Sequence, residues 1–165
     1  RTAKSDTEGY DQYTNKTLNV SLLTPKGWES SVGIGGVYTL TMPGSDGAQI
    51  YVMSSPVEHL MGEGASPSTT RLEEYKKFRL SQMTEEYIGP ELEFSTQKSS
   101  LSGNDAYETR YAYKPEGDSR KWFVREVFTV ADGKVYQIQS YARGNVAPEF
   151  QNTFETMIDS YRILN

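Results

Sequence analysis

The residues of this chain that could do chemistry are few, and its single histidine is the first to consider. His59 follows Glu58 and stands four positions before Glu63, within a polar stretch over residues 56–69. Imidazole and carboxylate groups bind divalent metals, so these three residues are the candidate metal ligands. Zinc usually takes more nitrogen or sulfur ligands, and the chain contains no cysteine. We favour the alternative interpretation, a solvated loop histidine without a bound metal.

Catalysis by a serine, by paired carboxylates or by a phosphate-binding loop is not indicated. A serine nucleophile needs a histidine base held by a carboxylate, and the chain has one histidine and no G-x-S-x-G turn. The spacing of its acidic residues fixes no carboxylate pair. The glycines of the segment Gly33-x-Gly35-Gly36 precede a predicted strand, whereas a phosphate cradle precedes a helix. We therefore expect no enzymatic activity and no cofactor.

Tyrosine is the most abundant aromatic residue, with 12 copies. Tyr107, Tyr111 and Tyr113 alternate along one predicted strand and therefore share a face, and Tyr141 lies in a neighbouring part of the predicted sheet. Tyrosines are enriched where proteins bind each other, so these four residues are a candidate interaction surface. The alternative interpretation is a sheet face covered by a helix.

Two charged residues interrupt predicted apolar faces. Arg79 lies within the apolar stripe of a predicted helix, and Glu126 lies in phase with the apolar residues of a predicted strand. Because an unpaired buried charge is costly, each needs a partner or a path to water. We favour side chains that reach solvent. The alternative hypothesis is a mutual ion pair that lines a shallow pocket.

Composition narrows the classes of protein to which the chain can belong. It has 165 residues, enough for one domain, and a net charge of −5, which disfavours binding to nucleic acid. No apolar run reaches the ~18 residues that a membrane span requires. The polar residues 1–13 are typical of a flexible linker, so we expect a single domain over residues 14–165. A processed export signal or a lipid anchor upstream of residue 1 is compatible with this linker.

Periodicity and turn residues predict the order of the elements. A helix is expected to begin at the capping pair Thr70 and Glu73 and to stop at Gly89-Pro90, and a second is expected to begin at Pro148. Asp132-Gly133 indicates a tight hairpin. Period-two alternation predicts seven strands, near residues 18–22, 37–42, 49–54, 92–100, 106–114, 121–131 and 134–142. Hairpin-linked strands with two helices favour an α+β domain with an antiparallel sheet.

At this level the sequence resembles the PsbP family and, more broadly, the Mog1/PsbP-like fold. The resemblance covers residues 10–164. The features that carry it are the strand ending in Thr24-Pro25-Lys26-Gly27-Trp28, the stretch YVMSSPVEHLM over residues 51–61, a helix with Leu72, Glu73 and Glu74, a strand over Gly103 and Tyr107, the hairpin around Asp132-Gly133-Lys134, and a closing helix that ends near Ser160.

The resemblance implies a sheet of about six to seven antiparallel strands flanked by helices, and a non-catalytic accessory role. Plant members of the family retain calcium and chloride for photosynthetic oxygen evolution in the thylakoid lumen, and many bacterial and archaeal relatives are exported lipoproteins. Mog1 itself is a partner of a nuclear-transport GTPase, and another branch contains cytosolic chaperones of secreted effectors. The basic N-terminal arm of the photosynthetic members is poorly matched, since only Arg1 and Lys4 precede Lys16.

The sequence thus predicts an exported binding protein, lipid-anchored or free, that acts on another protein at a membrane surface. The expected location is the extracytoplasmic side of a membrane, at a cell surface, in a periplasm or in a thylakoid lumen. One alternative is a homologue associated with photosystem II. Another is a cytosolic GTPase partner or effector chaperone of the Mog1 type.

Overall fold

The structure, a computed structural model, describes residues 8–62, 64–86, 93–144 and 148–165. Along the chain it contains ten strands and three helices in these residues. They are β1 (Tyr10–Asn15), β2 (Val20–Pro25), β3 (Glu29–Val32), β4 (Tyr38–Thr41), β5 (Gln49–Pro56), α1 (Val57–Met61), α2 (Leu72–Glu86), β6 (Glu93–Leu101), β7 (Asn104–Tyr113), β8 (Trp122–Ala131), β9 (Lys134–Arg143), α3 (Pro148–Ser160) and β10 (Arg162–Ile163).

A seven-stranded sheet in the order β3-β4-β5-β9-β8-β7-β6 forms the central layer, and every neighbouring pair in it is antiparallel. A second sheet has the order β1-β2-β10. The α+β class and the antiparallel sheet predicted from the sequence are confirmed. The predicted boundary of the linker is too late, because β1 begins at Tyr10 and pairs with β2 within the stretch assigned to residues 1–13.

The long strands are joined by two tight turns whose backbone suits their sequence. Ser102-Gly103 connects β6 to β7, and Asp132-Gly133 connects β8 to β9. All four residues have positive φ, at 53°, 74°, 49° and 73° respectively. Positive φ at both central positions defines the type I′ turn, whose twist matches that of the strands it joins. The hairpin predicted from Asp132-Gly133 is therefore confirmed.

The sheet has two buried faces. The one we call the α3 face is covered by α3 and by the small sheet. There Phe150, Phe154 and Met157 of α3, all fully buried, pack with residues of β2 and of the central strands. These three residues follow the helical spacing i, i+4, i+7, which places them on one side of α3. This layer contains the largest group of buried apolar side chains in the described residues.

The opposite face, which we call the α2 face, is covered by α1 and α2. Tyr75, Arg79 and Met83 lie four residues apart along α2 and point toward alternate residues of β8, namely Phe128, Glu126 and Val124. Four residues span about 6 Å along a helix, and two residues span about 6.6 Å along a strand. The three contacts therefore have nearly the same spacing on α2 and on β8.

The start of α2 differs in detail from the sequence prediction. The hydroxyl of Thr70 donates to the carbonyl of Ser66 at 3.0 Å, and the carboxylate of Glu73 accepts from the hydroxyl of Tyr107. Thr70 and Glu73 therefore bond to other residues and do not form the predicted capping box, although the helix begins where it was expected.

Candidate binding groove

A groove of about 770 Å³ opens on the α3 face, between α3 and the strands β6, β7 and β8. Alternation along the strands places its side chains, because Arg110 and Ala112 of β7 pair with Arg125 and Phe123 of β8 and so point the same way. Phe123 is 47% exposed. The described residues that line the groove are Phe94, Ser95, Arg110, Tyr111, Ala112, Phe123, Val124, Arg125, Gln151, Asn152 and Glu155.

One edge of the groove is fixed by a network centred on Glu108, whose side chain is 5% exposed. One of its carboxylate oxygens accepts from Arg125 Nη2 at 2.6 Å, and the other accepts from Arg110 Nε at 2.7 Å and from Gln97 Nε2 at 3.2 Å. Burial alone would raise the pKa of the Glu108 carboxyl, but the hydrogen bonds from Arg125 and Arg110 outweigh burial and hold the pKa below its ordinary value.

Arg125 connects this network to α3. Its guanidinium donates to Gln151 Oε1 at 3.0 Å and to Glu155, and it lies 4.9 Å from the centroid of the Phe154 ring. Burial works to lower the pKa of Arg125, but the bonds to Glu108 and Glu155 raise it above its ordinary value. A planar guanidinium held on several sides has little rotational freedom, so this wall of the groove is rigid before any ligand arrives.

The chemistry of the groove suits binding. It combines an exposed ring at Phe123 with guanidinium, amide and carboxylate groups, while the only histidine of the chain lies elsewhere, in α1. Apolar surface with a few fixed polar groups is the usual composition of a recognition site. This site was not predicted from the sequence. The one local sign of it in the sequence is the pair Glu108 and Arg110, which are two residues apart and therefore lie on the same face of a strand.

Arg79 and Glu126 form an ion pair, which confirms that part of the hypothesis not favoured from the sequence, while the shallow pocket that the pair was expected to line stays a prediction. Arg79 Nε and Nη2 donate to the two carboxylate oxygens of Glu126 at 2.8 and 3.0 Å, and Arg79 Nη1 donates to Gln82 at 3.0 Å. Glu126 is fully buried. Burial works to lower the pKa of Arg79, but Glu126 more than offsets it and the pKa is raised. The pair lies between α2 and the sheet, away from the residues that line the groove.

The four predicted surface tyrosines separate into two groups. Tyr107 and Tyr111 are 7% and 4% exposed, beneath α2, so these two rings present little surface to a partner. The hydroxyl of Tyr111 accepts from Gln139 Nε2 at 3.1 Å. Tyr113 and Tyr141 are half-buried, and their hydroxyls are hydrogen-bonded to each other. The structure brings Tyr111, Tyr113 and Tyr141 together at one end of the sheet, and an interaction there stays a prediction.

Two of the three candidate metal ligands lie within the described residues. Glu58 and His59 lie in α1, where His59 is exposed and one carboxylate oxygen of Glu58 is buried without a hydrogen-bond partner. Glu63 lies outside the described residues. Within the described ranges, no group of three histidine or acidic side chains has the arrangement of a metal site.

The glycine-rich segment over residues 33–36 forms a turn. Ile34–Gly36 make a short 3-10 turn between β3 and β4, and Gly35 and Gly36 have φ values of 78° and 81° that favour glycine. Ile34 at its tip is fully exposed. Because a strand follows, the turn lacks the helix N-terminus that a phosphate cradle requires.

An antiparallel sheet covered by helices defines an α+β domain, and this one has a groove on one face. No protein-family model matches the chain, and no curated protein matches it. Solved structures do match. One is the cyanobacterial PsbP, CyanoP, of Synechocystis sp. PCC 6803, with a TM-score of 0.63 and 12% identity, covering 99% of this chain and 97% of that one.

Two further structures extend the comparison. LpqN, involved in cell envelope biogenesis of Mycobacterium tuberculosis, has a TM-score of 0.59 and 15% identity, covering 88% of this chain and 83% of that one. A variant of the protein Mog1 has a TM-score of 0.58 and 8% identity, covering 94% and 96%. The chain therefore has the PsbP/Mog1-like fold, as the sequence predicted. At these identities the likeness concerns the fold alone.

Proposed function

We propose that this chain is a non-catalytic accessory protein that acts outside the cytoplasm and binds another protein through the groove on the α3 face. The observation that carries the proposal is Phe123, an exposed aromatic ring beside a guanidinium network that is already fixed. Buried or partly buried aromatic and arginine side chains contribute most to protein interfaces. A preformed wall also reduces the entropy lost when a partner binds.

The extracytoplasmic location is supported by two structural relatives. One is a cyanobacterial PsbP, and the other is described as involved in cell envelope biogenesis. Among the described residues no helix is both long and apolar enough to cross a membrane. We propose that a lipid anchor or a membrane-bound partner holds the protein at the membrane surface. The likeness to Mog1 supports the cytosolic alternative, and the likeness to CyanoP supports the photosystem II alternative.

The groove is tested by placing a photo-crosslinking amino acid at position 123 in the source cells. A matched control places it at position 34, because Ile34 is also an exposed apolar residue but lies at the opposite edge of the sheet. We expect a discrete crosslinked protein from position 123 and none from position 34. The purified partner should then bind wild type and Ile34→Ala equally, and Phe123→Ala at least about tenfold more weakly.

Equal crosslinking at both positions, or unchanged affinity of Phe123→Ala, would exclude the groove as the binding site. The location is tested separately, by mass spectrometry of the native N-terminus after the cells are fractionated. A processed or lipid-modified N-terminus in the membrane or exported fraction is the expected result. An unprocessed N-terminus in the cytosol would replace the proposal with the cytosolic alternative.

A further inference from the structure

Strand β6 forms one edge of the seven-stranded sheet, and it differs from the opposite edge. It is nine residues long and pairs with β7 without interruption, from Glu93 opposite Ala112 to Leu101 opposite Asn104. Among the described residues, β7 is the only strand that pairs with it. The opposite edge, β3, has four residues. Natural proteins usually protect an edge strand by shortening it or by placing a proline, a bulge or a lysine in it, and of these devices β6 has only Lys98.

The turn that follows β6 determines which of its backbone groups face outward. In a two-residue turn the carbonyl of Leu101 accepts from the N–H of Asn104, so these residues form a hydrogen-bonded pair. Such pairs alternate with non-hydrogen-bonded pairs along an antiparallel ladder. The N–H and C=O groups of the even-numbered residues therefore point away from β7. They belong to Phe94, Thr96, Lys98 and Ser100 and provide four donors and four acceptors along one edge.

Positive charge lies on both sides of this edge. The Lys98 side chain is exposed on the α2 face, where Glu73 is a charged neighbour, but no hydrogen bond or ion pair joins Lys98 to a described residue. Arg110 lies on the α3 face opposite Ser95, where its Nε binds Glu108 and its side chain remains 54% exposed. Within the described residues no group accepts a hydrogen bond from its two terminal nitrogens. A strand added beside β6 would pass both cations.

We propose that β6 is a docking edge, and that an extended acidic segment of a partner protein adds to it as an eighth strand. Backbone hydrogen bonds to the even-numbered residues would supply affinity, as in other cases of strand addition. Acidic side chains facing Lys98 and Arg110 would supply selectivity. The inference rests on the proposed function in taking the partner to be a protein. The groove lining includes Phe94 and Ser95 of β6 but not Thr96, at which the edge is tested separately.

A second copy of this chain is a less suitable occupant than an acidic segment. If two β6 strands paired antiparallel about Gln97, each Lys98 would face Thr96 of the other copy. The two lysines would then be diagonal neighbours on the same face, where like charges repel. An acidic segment replaces this repulsion by attraction on both faces.

The test uses a displayed library of random twelve-residue peptides, selected for binding to the wild-type chain. The diagnostic pair of variants is Thr96→Pro and Thr96→Ala. Both remove the hydroxyl that bonds to Thr109 at 3.1 Å, but only proline removes the outward N–H and places a ring on the edge. Since the β6–β7 ladder does not use this N–H, both variants should fold, which circular dichroism and thermal unfolding verify.

We expect the selected peptides to be enriched in aspartate and glutamate. Their affinity should fall at least about tenfold in Thr96→Pro and by less than about threefold in Thr96→Ala. Lys98→Glu should weaken them, and added salt should weaken them in the wild type. Amide exchange at Thr96, Lys98 and Ser100 should slow when a peptide binds. Ile34→Ala, at the opposite edge of the sheet, should leave these affinities within about twofold. The Thr96 pair separates this test from that of the groove, because Thr96 does not line the groove.

Three results would overturn the proposal. The first is a selection that yields no binders above background, or binders without acidic enrichment. The second is equal affinity of the peptides for Thr96→Pro and Thr96→Ala. The third is concentration-dependent dimerisation of the wild type that Thr96→Pro abolishes, measured by sedimentation, because the edge would then serve a second copy of the chain.

Discussion

Replacing Arg79 by methionine is expected to destabilise the protein strongly, although methionine packs well in a helix. The substitution leaves the Glu126 carboxylate fully buried, without the two charge-assisted bonds at 2.8 and 3.0 Å that it now accepts. Its neighbours along β8 on the same face, Val124 and Phe128, offer no donor. Its cross-strand neighbours, Thr109 and Gln139, already bond to Thr96 and Tyr111. The carboxylate must then draw in water or a proton, and either change disturbs the contact between α2 and the sheet.

The expected magnitude follows from this geometry. Removing one member of a buried ion pair typically lowers the free energy of unfolding by about 3–5 kcal/mol. Because Glu126 is fully buried and the Arg79 side chain is 13% exposed, we expect Arg79→Met to lie near the upper end and Glu126→Leu near the lower end. The double variant Arg79→Met/Glu126→Leu removes both charges and fills the space. It should return to within about 1 kcal/mol of wild type, because apolar replacement of a buried pair is often neutral.

Urea unfolding of the wild type, both single variants and the double variant completes a double-mutant cycle. We expect a coupling energy of at least about 3 kcal/mol. If Arg79→Met loses less than about 1 kcal/mol, or if the single effects simply add, then the pair is solvated in solution and the reasoning from its burial is wrong.

Two further predictions concern the turns and the groove. Gly133→Ala should destabilise the chain by at least about 2 kcal/mol, and Gly103→Ala by about 1–2 kcal/mol, in parallel urea titrations. Both glycines have positive φ, but a Cβ at Gly133 would lie 2.8 Å from Pro67 whereas one at Gly103 meets nothing within 4 Å, so equal losses would contradict the packing argument. Glu108→Gln should lower the free energy of unfolding at pH 7 by about 1.5–3 kcal/mol. Because the pKa of Glu108 in the folded chain lies below its ordinary 4.5, its ionised form stabilises the fold fully above pH 4.5, and this stabilisation is lost as the pH falls through the folded value. The difference between wild type and variant should therefore shrink below pH 4.5, and a constant difference between pH 7 and pH 3 would show that the charge is not responsible.

The sequence predicted the elements that carry their own periodicity. The strands β2, β4, β5, β8 and β9 and the helices α2 and α3 have apolar residues at regular spacing. Strand β1 was missed because its sequence, YDQYTN, is mostly polar and leaves it half-exposed on β2. Strand β3 was missed because all four of its side chains are exposed. The short helix α1 lies in a stretch interpreted as a loop, where five residues are too few to show a period.

The candidate sites were harder to predict, because they depend on which strands are neighbours. The sequence placed Arg79 and Glu126 on apolar faces, but the choice between a solvated and a paired state required the position of α2 over β8. The groove joins residues of β7, β8 and α3, and Arg125 contacts Glu155 across 30 positions of the chain. Such contacts leave no local pattern, whereas the alternation of Tyr107, Tyr111 and Tyr113 is visible but does not reveal which rings a helix covers.

The pairing of β10 with β2 has a consequence for how the chain is made. Strands β6 to β9 form a continuous meander, so their contacts are local and can form early. The α3 face, in contrast, is closed by α3 and by the pairing of Ile163 with Val20, which are 143 positions apart. During synthesis from the N-terminus, the apolar residues of that face stay uncovered until the last element has left the ribosome. The interval between completing the meander and adding α3 is therefore when the nascent chain is most exposed to aggregation, and when a chaperone would act.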